Sequence, residues 1–535
     1  MLIKANLVDI RKREITPSKI EIKNGLINSI KKIDKKCKNY ILPGFIDSHI
    51  HIESSMLIPS EFARLATIHG TIATLSDPHE IANVLGIEGV LFMLENSLKT
   101  NFKFYFGASP CVPATPFETS GDSLDLEDIK TLLKNPKIKF LSEVMNFPAV
   151  LAKDQDIISK MEAAKKENKP IDGHAPNLIG DDLNRYIDAG ISTDHEAFSY
   201  EEGLEKLQKG MKILIREGSA AKNFDALHPL IDEHYKNMMF CSDDKHPDDL
   251  LKGHINTLVS RAISLGHNIF DVLEMACLNP IDHYNLDIGT LRVGDSADFI
   301  IVEDLKYFRV LQTMVNGEVV AENSKTLLKS IEVAKINKFR ATPKSVKDFF
   351  LPKCNNMEVI EVVDHELITH ERILNKSSKD ILKIAVINRY EDKPIKGIAH
   401  VKGFNLKSGA IASSVAHDSH NIIVVGCSDE DMTRAVNLII DTKGGISAVN
   451  DEDESYTLAL DIGGIMTNRD GFKVAKEYQE IDNFVKDSLG STLSSPFMTL
   501  SFMALLVIPE IKLSDQGLFD GRSFHFILPC RGENL

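Results

Sequence analysis

The chain has 535 residues, 43% of them hydrophobic and 26% charged, with a formal net charge of −15. That acidity disfavours nucleic acid and anionic membrane as partners of the whole chain, because both are polyanions, and no Lys/Arg-rich stripe offsets it. No apolar run approaches the roughly 20 residues of a spanning helix, and the N-terminus lacks the apolar core of a signal peptide. The seven cysteines, Cys37, Cys111, Cys241, Cys277, Cys354, Cys427 and Cys530, are scattered without a CxxC pair. This suits a reducing cytoplasm and argues against disulfides and a thiolate zinc site.

In chain order, the first forty residues read as β-rich. Ile20–Lys23 and Leu26–Ile30 flank Asn24-Gly25, a strong hairpin signal. The pattern returns at Val315-Asn316-Gly317-Glu318 after a strand at Ala297–Val302. Residues 1–44 and 288–330 are therefore expected to form one small β domain, with the middle of the chain inserted into it. From 45 to 287 short apolar strands alternate with helical stretches. The strands are the run into His49, then Thr71–Ser76, Lys103–Gly107, Ile138–Ser142, Pro170–Gly173, Ile191–Asp194 and Met238–Ser242. Ser60–His69, Leu124–Leu133 and Asp154–Asn168 carry helical spacing and caps. This alternation predicts an α/β fold, a (β/α)8 barrel. A doubly wound sheet would normally open on a glycine-rich phosphate turn, and none is present. A polar, basic stretch at 322–352 reads as a linker, and 353–535 as a separate C-terminal α/β domain.

In a (β/α)8 barrel chemistry sits where strands end. His49 and His51 are two apart and present both imidazoles to one face of a strand. Glu143 follows the fourth strand directly. His174, His195 and the pair Asp243-Asp244 each follow later ones. A lone strand-end histidine is usually a hydrogen-bonded barrel residue, but five such hits in one barrel point to a shared ligand. Four imidazoles with two or more carboxylates fit two divalent cations rather than one, and the donor types leave zinc, manganese and iron open.

Longer strings narrow the reading. Pro43–Met56, Asp77–Gly86, Asp172–Pro176, Thr193–Glu196, Arg216–Ala220, Ser242–Pro247 and Ser413–His420 together resemble the adenine deaminases of the amidohydrolase superfamily, nearly end to end. The resemblance implies His49, His51, Glu143, His174, His195 and Asp243 as the metal site, with Glu143 replacing the carboxylated lysine of many relatives. It implies manganese or iron as the two ions, and hydrolysis of adenine to hypoxanthine and ammonia in purine salvage. Asp243 then shuttles the proton, with Glu143 as the other catalytic carboxylate. A cytoplasmic homodimer is the expected form. The HxE and PCxxC strings of cytidine-type deaminases are absent.

Other positions keep two readings. His79 and Glu80 either orient substrate and support the metals, or belong to a turn capping the next helix through Asp77. Glu53, expected beyond the histidine pair on the same strand face, either contacts a ring nitrogen or forms a structural salt bridge. Arg216 and Glu217 either reach the pocket or form a surface ion pair, the commoner fate. His417 and His420 either bind a ligand or, the commoner case, belong to a solvated loop or an interface, and Asp244 and His246 read as support behind the ligands. The rival chemistry is a two-metal, dihydroorotase-like hydrolase opening a cyclic amide. A rival of another class is a barrel that only binds; such a protein would have lost ligand positions.

Overall fold

The computed structural model describes residues 1–352, 355–375 and 378–530. The chain changes sheets at Gly44. Tyr40–Pro43 runs in an eight-stranded sheet, whereas Phe45–Ile50 opens a parallel one. A Cβ at Gly44 would lie 2.5 Å from the Ile72 side chain, so this crossing admits only glycine without repacking.

The first sheet draws on two distant segments. Leu2–Asp9, Glu14–Lys23, Leu26–Lys32 and Tyr40–Pro43 come from one, and Phe299–Val302, Val310–Val315, Glu318–Glu322 and Lys325–Thr326 from the other. They join where Phe299 pairs antiparallel with Pro43. Alternate residues, Ala5 and Leu7, Ile20 and Ile22, face one core with Phe299 and Met314, as the two-residue period of strands requires. Both Asn-Gly turns have positive φ at both residues, 52° and 77° at Asn24-Gly25 and 51° and 79° at Asn316-Gly317. They also touch, since a Cβ on Gly317 would overlap the Gly25 backbone. Gly317→Ala is therefore expected to destabilise this sheet by at least about 1 kcal/mol, seen as a lower urea midpoint. An unchanged midpoint would show that the turns separate at no cost.

The middle of the chain forms eight parallel strands: Phe45–Ile50, Thr71–Ser76, Lys103–Ala108, Ile138–Val144, Ile171–Gly173, Thr193–Asp194, Lys212–Arg216 and Met238–Cys241. Single backbone bonds complete the ring. Ser192 N donates to Ile171 O at 2.9 Å, and at the other seam Asp243 N donates to His49 O at 2.9 Å. The sheet thus curls into a TIM-like barrel. Lys212–Arg216 adds a strand to those read from sequence. Its Ile213-Leu214-Ile215 core is short and flanked by two cations, which masked the apolar signal, yet Arg216 is fully buried. The expected helices form at Pro59–Ala66, Leu126–Leu133 and Gln155–Lys166, the last two capped by the side chains of Asp125 and Asp154.

Residues 357–459 form a second eight-stranded sheet. Strand Ile381–Ile387 shows its two-sided burial: Ala385 and Ile387 face helix Asp429–Thr442, while Ile384 and Val386 join a core shared with barrel residues such as Ile50 and Phe62. The C-terminal region is therefore packed onto the barrel through continuous apolar surface. Cys530 is disulfide-bonded, contrary to the expectation of a chain without disulfides, and five other cysteines are free. The backbone of Cys530 forms an isolated antiparallel β-bridge with that of Met357, a proximity that sequence spacing does not reveal. Cys354 lies outside the described residues. Among the described residues no helix is long and apolar enough to cross a membrane.

Candidate active site

His49 and His51 stand at the barrel seam, one at the end of its strand and the other just past it. Asp243 completes that seam, because His51 N donates to Asp243 O at 3.2 Å while Asp243 N holds His49 O. The barrel closure thus sets all three side chains together. Nε2 of His49 lies 3.2 Å from Nε2 of His51, and Asp243 Oδ1 is 3.4 and 3.2 Å from them. Across the mouth, Glu143 Oε1 is 3.4 Å from His51 Nε2. Its Oε2 is 2.8 Å from His174 Nδ1 and 3.2 Å from His195 Nε2. All six side chains are buried.

These separations suit ligands of shared cations. Two donors about 2.1 Å from one tetrahedral ion lie about 3.4 Å apart. Asp243 Oδ1 is buried with no hydrogen-bond partner, an acceptor aimed at the other donors. His49, His195 and Asp243 form one compact donor group, and Glu143, His174 and His195 another. The residues present, all imidazoles and carboxylates, fit divalent metal.

Burial opposes the charge on Glu143, but His174 and His195 hold its carboxyl well below the usual range. Burial likewise opposes Asp243, and Arg216 with His49 and His51 holds it well below. Arg216 was expected more often at the surface; it is instead a fully buried cation. Its Nη1 donates to Asp243 Oδ2 at 2.7 Å and also to Glu196 Oε1, while Nη2 reaches Glu196 Oε2 at 3.2 Å. Glu196, which received no role from sequence, lines the pocket 3.5 Å from His195 Nε2. Its signal was its place directly after a strand-end histidine. Glu217 turns away to Arg261 at 3.1 Å.

Glu53 sits elsewhere than expected. The strand stops at Ile50, and Glu53 falls in the turn Ile52–Ser55, where Oε1 accepts from Ile81 N at 3.1 Å. It supports the start of helix His79–Leu85, is not among the residues lining the pocket, and is pushed up to about 7 by burial. His79 lines the pocket, its Nδ1 3.4 Å from Glu143 Oε1 and 3.2 Å from Asp77 Oδ2. Asp77 Oδ1 also accepts from His79 N at 3.1 Å, so the turn role coexists with the pocket position.

The pocket's roof comes from the C-terminal region, a contribution hidden in the sequence. The segment after strand Ala410–Ser413 is buried against the barrel mouth. His417 Nε2 lies 2.9 Å from both Glu80 Oε1 and Asp244 Oδ1, and His420 also meets Glu80. Glu80 thus anchors the roof from behind the pocket wall. Asp244, which itself lines the pocket, also holds the roof while accepting from Ser54 Oγ at 2.5 Å. His246 instead faces the Tyr478 hydroxyl at 2.5 Å. Between floor and roof remains a cavity of about 20 Å³, about the room of one water.

Residues 40–320 match the amidohydrolase family and residues 359–525 the adenine deaminase C-terminal domain. The chain is 62% identical over 535 residues to an adenine deaminase of Sulfurovum sp., covering 99% of this chain and 100% of that protein. Adenine deaminases of Borreliella burgdorferi and Methanosarcina barkeri are 50% and 47% identical, each covering 98% of this chain and 99% of theirs. The likeness runs through barrel floor and C-terminal roof alike, and the chain belongs to the adenine deaminase family.

Proposed function

We propose that this protein hydrolyses adenine to hypoxanthine and ammonia at the mouth of the barrel. The observation that carries this reading is the convergence of six buried donors on both sides of Glu143, in a chain 62% identical to an adenine deaminase along its whole length. His49, His51, Glu143, His174, His195 and Asp243 would hold two divalent ions, manganese or iron. When bound, such ions lower the pKa of water toward neutrality and so supply the nucleophile.

The chain's own residues do the rest. Asp243, kept ionised by Arg216, accepts the proton released as oxygen adds to C6 of the purine. It returns that proton to a ring nitrogen or the leaving amine, so ammonia departs neutral. Arg216 and Glu196 fix the Asp243 carboxylate without touching the reacting carbon. His79 borders the pocket beside Glu143, and Glu80 and Glu53 stabilise the wall around it. Residues 1–44 with 288–330, 45–287 and 353–535 would be the three domains, a division supported by the change of sheet at Gly44 and the joining of the two end segments. Homodimerisation and cytoplasmic purine salvage, as the sequence resemblance implies, complete the reading.

Protein loaded with manganese or iron is expected to release ammonia from adenine and not from adenosine or cyclic amides. No ammonia from adenine with either metal would refute the function.

A further inference from the structure

We propose that Asp418, supplied by the C-terminal region, is the substrate-binding residue that accepts the imidazole-ring N–H of the free purine base. The proposal rests on adenine being the substrate and identifies the group that distinguishes it from N-substituted purines.

Each of the other carboxylates lining the pocket has at least one oxygen within 3 Å of an arginine or histidine nitrogen. Glu143 is engaged by His174 and His195, Glu196 and Asp243 by Arg216, and Asp244 by Ser54 and His417. Asp418 lines the same pocket and is only 2% exposed, yet its nearest cationic group, His79 Nε2, is 3.6 Å from Oδ1, beyond hydrogen-bond reach. A buried carboxylate short of donors gains most from a ligand that brings one. Adenine has few to offer. Apart from the amine that leaves, its ring carries a single N–H, on the imidazole half.

The span agrees. His79 Nδ1 is 3.4 Å from Glu143 Oε1 and its Nε2 is 3.6 Å from Asp418 Oδ1, so one imidazole stands between the floor carboxylate and Asp418. A fused bicyclic base with its six-membered ring on that floor turns its five-membered edge toward the roof. Leu367 and Leu505 add apolar contact from the same region, and Leu367 is held by Lys512 Nζ donating to its carbonyl at 2.6 Å.

The test compares adenine, 7-methyladenine and 9-methyladenine in the metal-loaded wild type, Asp418→Asn and Asp418→Ala, with metal content measured in each. Wild type is expected to prefer adenine over at least one methyl isomer by 100-fold or more, since a site built to accept a hydrogen bond from a substrate N–H can reject analogues lacking it by about 10⁴-fold. In Asp418→Ala that preference should shrink by at least about 10-fold, the scale of a hydrogen bond to a charged group, and Asp418→Asn should fall between. A merely structural role would lower turnover of all three bases in parallel. Equal use of adenine and both methyl isomers by wild type, an unchanged preference in both variants, or a parallel loss on all three would overturn the assignment. Failure of the underlying function is distinct, since wild type would then release no ammonia from adenine at all.

Discussion

Asp243→Asn is expected to lower kcat for adenine at least about 100-fold, the usual scale of lost general-base catalysis, with both ions still bound. The substitution keeps size and leaves a ligating oxygen but removes the capacity to accept a proton. Arg216 limits the collateral damage, because it remains paired with Glu196. The backbone of residue 243 also stays locked to His49 and His51 across the seam, so the floor should keep its shape. Metal analysis beside single-turnover kinetics checks this. Near-wild-type turnover in a fully loaded Asp243→Asn enzyme would remove Asp243 from the proton path.

Glu143→Ala is expected to deplete at least one ion and to abolish turnover. Glu143 is the carboxylate that reaches both sides, with one oxygen toward His51 and the other toward His174 and His195. Removing it leaves imidazoles facing one another in a buried site without the anion that joins them, which costs affinity for any dication. Glu143→Gln separates shape from charge: it should retain the fold and still lose metal. Elemental analysis decides. One tightly bound ion per active chain, unaltered in Glu143→Ala, would defeat the two-ion reading.

The donor set was legible in the sequence because a barrel places its chemistry at strand ends, and strand ends are local features. His49 and His51 announce themselves by a two-residue spacing, and Glu143, His174, His195 and Asp243 by directly following apolar runs. The Asn-Gly turns are equally local, since their backbone demands positive φ whatever surrounds them. Glu53 shows where local reading stops: a strand continued by pattern ends at Ile50, and the carboxylate falls into a turn that serves Ile81.

What the tertiary structure decided depends on surfaces meeting across long stretches of chain. Arg216 resembles any surface cation until ring closure buries it between Glu196 and Asp243. His417, Asp418 and His420 belong to a separate sheet, and only the shared apolar core that docks this sheet on the barrel carries them to Glu80, Asp244 and His79. The sequence by itself singled out the side chains that converge on the floor, through periodicity and residue type. The roof was decided by packing between elements, because no local pattern records which distant face an apolar strand will cover.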